Sequence, residues 1–498
     1  MLLERASNAE QRAVKPSFVL RRPNSKRMSH ASILLLLLTI AVCLGILLTI
    51  FFSSEQDTHL LTLLTFLMNG LLGLFFLAKA IVDKTFSLCQ VHWVFYLSFF
   101  VFAPLAQLLN GYSPWGYCLS EEDYQITNIL IFLWGALFAA AGNNLNSSGS
   151  RPKKTIPFNQ KKFFSSMPRI PRSFIFFCLL VEVCVFIALL AVVGLYGVFS
   201  STGFSTGFDQ TSNLLFNNFM RRIPLGCVVF SIIYFKQNER TLFNWVLLLV
   251  ALALLIATNF PINLSRYAVA AIYGCVLVLL WPPLMEKKGL FSILLLIALL
   301  LVWPAMNTYR HDDFELFALL GSISDTFSNL PAVFCADDYD AYSILARAMH
   351  YISANGATNG VQLLTVVFFF VPRSIWAQKS VGSGAMIALA QGQTFTNISC
   401  PLPAEGLVNF GVFGLMAFAV ILALVCAAAD NKFFLSKNAL WCFYPCACFY
   451  LFFMMRGDLL SSFAYVIGTF LAFCVVYLAL VVWGHVHGGT NEHNGIES

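Results

Sequence analysis

Long apolar runs separated by short charged or Gly/Pro-rich breaks occupy almost the whole chain. Twelve can be counted, near 31–52, 60–81, 91–109, 126–142, 173–197, 224–235, 243–258, 267–281, 289–303, 405–428, 438–455 and 462–484. A helix rising ~1.5 Å per residue needs about 20 residues to cross ~30 Å of hydrocarbon, and most runs approach that length. The run 224–235 falls short. It needs flanks that begin at Arg222 to span, so a tilted, broken or re-entrant helix is expected there. The pattern predicts an all-α fold, a polytopic membrane bundle of about twelve helices.

One stretch departs from this rhythm. Asn307 to Glu405 is mixed in composition and rich in Arg, Asp, His, Gly and Pro, so the polar chemistry of the chain is expected there. Within it, Tyr339, Tyr342, Ile344, Leu345, Met349 and Ile352 recur at helical spacing over 338–352, which predicts a helix lying on the membrane surface. The apolar run 361–371 is too short to span and fits a re-entrant segment before Pro372. The organisation that follows is a basic tail (1–30), helices 1–9 (31–303), a large loop (304–404), helices 10–12 (405–484) and a C-terminal tail (485–498).

Composition agrees with the pattern. Of 498 residues, 59% are hydrophobic and only 11% charged, with a mean hydropathy of +0.77, which excludes a soluble multidomain protein. The net charge of +6 is explained by where the basic residues fall. Seven Lys/Arg precede the first run, and seven with no acid occupy 143–172. Placing these segments in the cytoplasm leaves eight basic residues outside: Arg221, Arg222, Arg266, Arg310, Arg347, Arg373, Lys379 and Arg456. Both termini are then cytoplasmic, and the large loop is outside. The first run, 31–52, is long enough to serve as an uncleaved helix. The 14 cysteines lack metal spacing, and a Cys335–Cys400 bridge is allowed but not required by anything in the sequence.

Basic residues outside run against the orientation rule, so each needs a reason. Arg266 either snorkels to a lipid headgroup or joins Arg310, Arg373, Arg347 and Lys379 in binding an anion such as a pyrophosphate, the task for which a guanidinium is suited. Gly follows Arg310 and Arg373 at eleven residues, at Gly321 and Gly384, a spacing too common to carry weight alone. A general base requires a histidine or a partly buried carboxylate. Candidates are Glu405, at the mouth of a membrane helix, and Asp340, followed by His311 and His350. The competing readings are an acid favoured by a helix N-terminus for Glu405, a helix cap for Asp337, Asp338 and Asp340, and plain loop residues for the histidines. Neither a Walker A nor an HExxH motif occurs, and an ATP-driven or nucleotide-sugar enzyme is not expected.

Several segments together carry a resemblance. They are Asn263-Leu264-Ser265-Arg266, Asp340-Ala341-Tyr342 with Arg347-Ala348, Gln362-Leu363-Leu364, Phe369-Phe370-Val371-Pro372-Arg373-Ser374-Ile375-Trp376 with Lys379 and Gly382-Ser383-Gly384, and Pro401-Leu402-Pro403-Ala404-Glu405. Over about 259–414 the chain resembles the Wzy-type O-antigen polymerases, the oligosaccharide repeat-unit polymerases of bacterial inner membranes. The resemblance implies a fold akin to glycosyltransferases of the C type. It also implies transfer of a growing glycan from undecaprenyl pyrophosphate to an incoming lipid-linked repeat unit at the periplasmic face. No metal or cofactor takes part. Arg266, Arg310 and Arg373, supported by Arg347 and Lys379, would bind the pyrophosphate, and Glu405, Asp340 or His311 would be the base. The implied partners are the undecaprenyl-pyrophosphate-linked oligosaccharide, membrane lipid and a chain-length regulator, with no nucleic acid.

Two other readings share part of this pattern. An O-antigen ligase uses the same donor with a lipid A core as acceptor. A flippase or transporter would place ionisable groups at mid-membrane, where Glu182 is nearly alone.

Overall fold

The computed structural model of the protein describes residues 29–52, 59–148, 159–200, 206–208, 210–306, 321 and 330–488. Its principal helices before the large loop are α1 (His30–Phe52), α2 (Leu60–Asp83), α3 (Leu88–Leu109), α4 (Glu121–Asn143), α5 (Arg172–Phe199), α6 (Ser212–Gln237), α7 (Leu242–Asn263), α8 (Arg266–Leu280) and α9 (Leu290–Met306). Inside the loop lie α10 (Ala341–Asn355), α11 (Val361–Val367) and α12 (Ser383–Ala390). Then follow α13 (Leu402–Leu435), α14 (Ala439–Arg456) and α15 (Leu459–Val486). Ten of these are long and apolar enough to cross a membrane, and α8 and α9 are shorter apolar helices. No strand occurs among the described residues. The chain is a multi-pass helical membrane protein.

Nearly every residue of α3 is buried, which makes it the centre of the bundle. Phe95 and Phe99 stack with centroids 4.7 Å apart, and Phe452 of α14 meets both edge-on. Around α3, α4 packs along α2 and α13, and α8 packs along α14, while α5, α6 and α7 form a group joined to the rest through α15. The rim helices turn Leu34, Leu37, Leu64, Leu180 and Leu249 outward, where lipid is as apolar as the core.

The short run 224–235 lies in α6, whose first turns are polar. Neutral groups receive most of the donors of the two arginines there, while Arg222 Nε is left without a hydrogen-bond partner among the described residues. Arg221 Nε donates to Thr258 O at 2.7 Å and its guanidinium reaches Asn263, while Arg222 donates to Asn259. A gain of polar turns thus lengthens the helix to 26 residues.

The basic connectors gather at one end of the bundle, where Lys84 Nζ meets Asn431 at 2.9 Å, Lys236 Nζ meets Leu280 O at 3.0 Å and Lys288 reaches Val82 O. The opposite end, called here the loop face, carries the connectors around 110–120, 259–265 and 457–458 with the segment 330–401. The amphipathic stretch 338–352 forms a helix, α10, but its first half is covered by protein and not laid open as a surface helix would be. Ala341 to Ala348 are buried, and α10 packs against α4 and α13. Its polar residues Asp340, Ser343 and Arg347 turn inward too, because other polar side chains meet them there.

The helix α13 is broken at Phe410 and Gly411, where Gly411 has φ 64° and ψ −154°, a conformation suited to glycine. Leu402 to Asn409 is therefore a separate buried piece that holds Glu405 below the loop face. Cys335 and Cys400 are separate free thiols. Cys335 Sγ donates to Ala106 O at 3.7 Å, and Cys400 is sealed next to Glu405.

Candidate functional site

Four side chains along the start of α10 organise the loop face. Asp338, in the turn before the helix, receives both terminal nitrogens of Arg266, at 3.0 and 2.6 Å, and the guanidinium lies 4.2 Å from the Trp303 ring. Asp340 is fully buried. It accepts from Arg456 Nη2 at 3.1 Å, Ser399 Oγ at 2.7 Å and Trp115 Nε1 at 2.8 Å. Arg456 also donates to Asp338 O at 2.8 Å and to the Tyr267 hydroxyl at 2.9 Å. The Asp338-Tyr339-Asp340 run therefore sends its two carboxylates to two different arginines. These two pairs lock the ends of α8, α10 and α14 together, and their hydrogen-bonding capacity is used within the protein.

Two turns further along α10 the situation changes. Arg347 is completely buried, yet its partners are amides: Nε donates to Gln391 Oε1 at 2.6 Å and Nη2 to Gln393 Oε1 at 2.7 Å. Its Nη1 has no hydrogen-bond partner, and among the described residues no ion pair includes it. The Tyr117 ring covers one side, 5.0 Å from the guanidinium carbon. Burial lowers the pKa of this guanidinium, with Tyr117 and Asp340 acting in the opposite sense. A buried cation with neutral partners and one open donor is a place for an anion.

Next to it, His350 is held at both ring nitrogens. Nε2 meets Asp123 Oδ1 at 2.7 Å and Nδ1 meets the Tyr117 hydroxyl at 2.6 Å. The tautomer that satisfies both partners carries its proton on Nε2, donates to the carboxylate and accepts from the phenol. Burial and the Asp123 charge raise the Tyr117 phenol while Arg347 lowers it, so the hydroxyl keeps its proton at neutral pH. The His350 side chain is 40% exposed, which leaves the line open at the loop face. Arg347, Tyr117, His350 and Asp123 thus combine an anion donor with a proton path.

The remaining candidates are elsewhere on this face. Arg373 is exposed and donates to Lys379 O at 2.5 Å and Ser380 O at 3.1 Å. Lys379 Nζ donates to Phe369 O at 2.6 Å and Val371 O at 3.0 Å, so the two cations close the 369–380 turn on itself. Glu405 is buried and accepts from Ser383 Oγ at 2.6 Å and the Leu459 N–H at 2.8 Å. Asp458 accepts from the Gly384 N–H at 3.0 Å and the Leu460 N–H at 2.9 Å, and burial raises its carboxyl against the effect of these amides. Glu405 and Asp458 therefore stitch Gly382-Ser383-Gly384 to the start of α15. A Cβ at Gly384 would lie 2.6 Å from Ile398 O, which accounts for the glycine. Arg310 and His311 lie outside the described residues.

Sequence reasoning missed Tyr117, Asp123, Gln391 and Gln393 as site residues. The signal was present in Glu121-Glu122-Asp123, three acids beside the aromatic Tyr112-Ser113-Pro114-Trp115-Gly116-Tyr117 connector. A Gly203-Phe204-Ser205-Thr206-Gly207 run has the G-x-S-x-G spelling but follows a helix, without the strand-to-helix context that gives this motif its chemistry. No protein-family model, curated protein or solved structure matches the chain.

Proposed function

We propose that the protein polymerises lipid-linked oligosaccharide repeat units, transferring the growing glycan from undecaprenyl pyrophosphate to the non-reducing sugar of an incoming undecaprenyl-pyrophosphate-linked unit at the periplasmic face of a bacterial inner membrane. The observation that carries this reading is Arg347, a buried guanidinium with one donor unused, on the same helix as a histidine strung between a carboxylate and a phenol. The acceptor hydroxyl attacks the anomeric carbon, and the bond from that carbon to the pyrophosphate oxygen breaks with its electron pair going to the pyrophosphate. Arg347 stabilises the charge that develops, an effect worth roughly 10²–10³ in rate for one well-placed donor. The acceptor proton passes to the Tyr117 oxygen as the phenolic proton moves to His350 Nδ1, and Asp123 holds the imidazolium. The exposed Arg373, with the half-buried Lys379 beside it, supplies first capture of the pyrophosphate.

The test is in cells that make the cognate repeat unit but lack their own polymerase. The wild type is expected to give a ladder of surface lipopolysaccharide, and Tyr117→Phe, His350→Gln and Arg373→Ala, at equal membrane levels, a single-repeat band. A wild type that leaves only core lipopolysaccharide overturns polymerisation in favour of a ligase or flippase role. Variants that keep the full ladder overturn the site.

A further inference from the structure

We infer that the membrane-facing groove between α2 and α4 seats the isoprenoid chain of the lipid-linked substrate. This rests on the reading above and adds a binding site to it. Beside the two helices is a half-open cavity of about 220 Å³ lined by Thr65, Met68, Asn69, Asn128, Ile129 and Phe132. Met68 and Ile129 are more than half exposed.

The polar residues in this lining spend most of their hydrogen-bonding capacity within the protein. The Asn69 amide donates to Thr65 O and Asn128 O and accepts from the Tyr96 hydroxyl. The Asn128 amide donates to Thr65 Oγ1 at 2.9 Å and accepts from the Tyr342 hydroxyl at 3.1 Å. A sugar or a phosphate would have to give up most of its hydration there with little replacement, whereas a hydrocarbon chain has none to lose. Above the groove the helices are tied by Thr62 to Glu121 and by Gln125 to Thr62.

Its position selects which hydrocarbon. Ile129 and Phe132 follow Asp123 on α4 by six and nine residues, roughly 9 and 14 Å along a helix. Tyr342, which touches Asn128, lies on α10 with Arg347 and His350. A chain lying in the groove therefore runs along α4 toward the Asp123–His350–Tyr117 line, beside which Arg347 keeps an unpaired donor. The occupant that joins an apolar chain of this placement to an anion at its head is a polyprenyl pyrophosphate.

The experiment uses the full chain in lipid nanodiscs and a polyprenyl pyrophosphate bearing a diazirine on its chain, with a phosphatidylglycerol bearing the same diazirine as comparison. Mass spectrometry of the adducts is expected to place the pyrophosphate probe on residues 65–71 and 126–132. Unlabelled undecaprenyl pyrophosphate should compete, phospholipid should not, and the exposed-site variant Ile129→Trp should reduce labelling several-fold. Adducts elsewhere, or equal labelling by both probes, overturn the assignment. Groove labelling by an inactive wild type would remove the polymerase reading and keep the groove; a ladder of glycan without groove labelling would do the reverse.

Discussion

The ring of Tyr117 lies 5.0 Å from the guanidinium carbon of Arg347 while the hydroxyl of the same side chain sits 2.6 Å from His350 Nδ1. One residue thus touches both the anion donor and the proton acceptor. Tyr117→Phe separates the two contacts, since it keeps the ring and removes the hydroxyl. It is expected to lower turnover by ~10²–10⁴ with little change in the concentration of substrate at half-maximal rate. Steady-state kinetics on the purified variant checks this, and a proportional rise in KM with unchanged kcat would assign Tyr117 to binding alone.

Arg266 is expected to act through structure. Its bidentate pair with Asp338 is largely buried, and removing one partner of such a pair typically costs ~3–5 kcal/mol because the other charge is stranded. Arg266→Ala should unfold at lower temperature in detergent, and adding Asp338→Ala should recover part of the loss. Full stability of Arg266→Ala with lost activity would instead assign it to the substrate.

The Lys379 ammonium is held below its ordinary value by burial and then by the charge of Arg373. More of it is therefore the neutral, nucleophilic amine at a given pH than for a free lysine. Arg373→Gln removes one of these causes, so the pKa rises and the amine fraction falls. Acylation of Lys379 between about pH 8 and 9, followed by peptide mass spectrometry, is expected to slow in that variant. Faster acylation would contradict the proximity of the two cations.

The break in α13 depends on close backbone approach. A Cβ at Gly406 would lie 2.7 Å from Gly414 O, so Gly406→Ala must displace backbone and should destabilise by ~1–3 kcal/mol. Thermal unfolding of the detergent-solubilised variant measures this; an unchanged midpoint would mean that the two segments separate freely.

What could be read from sequence differs between fold and site for a physical reason. The apolar runs that cross a membrane must satisfy their own backbone hydrogen bonds, so a local pattern is enough to find them. Length alone could not place the start of the helix holding 224–235, because it borrows its first turns from Asn217, Arg221 and Arg222, and the two arginines are met by Thr258, Asn259 and Asn263 on a different helix. The spacing over 338–352 gave a helix correctly but not its surroundings, because an inward Arg347 looks like a surface residue until Gln391 and Gln393 are known to meet it. In the same way Arg266 and Asp340 stood out as charges, and only tertiary contact pairs them with Asp338 and Arg456. His350 was noted, yet Asp123 lies 227 residues away in sequence.

The most direct measurement is reconstitution of the purified protein in nanodiscs with an undecaprenyl-pyrophosphate-linked repeat unit as both donor and acceptor, with no nucleotide added. A polymerase built on Arg347 and the Asp123–His350–Tyr117 line gives a glycan ladder, releases one undecaprenyl pyrophosphate for each unit joined, and loses both with Tyr117→Phe. Bound substrate that is never elongated by the wild type, or a ladder that Tyr117→Phe leaves unchanged, would contradict it.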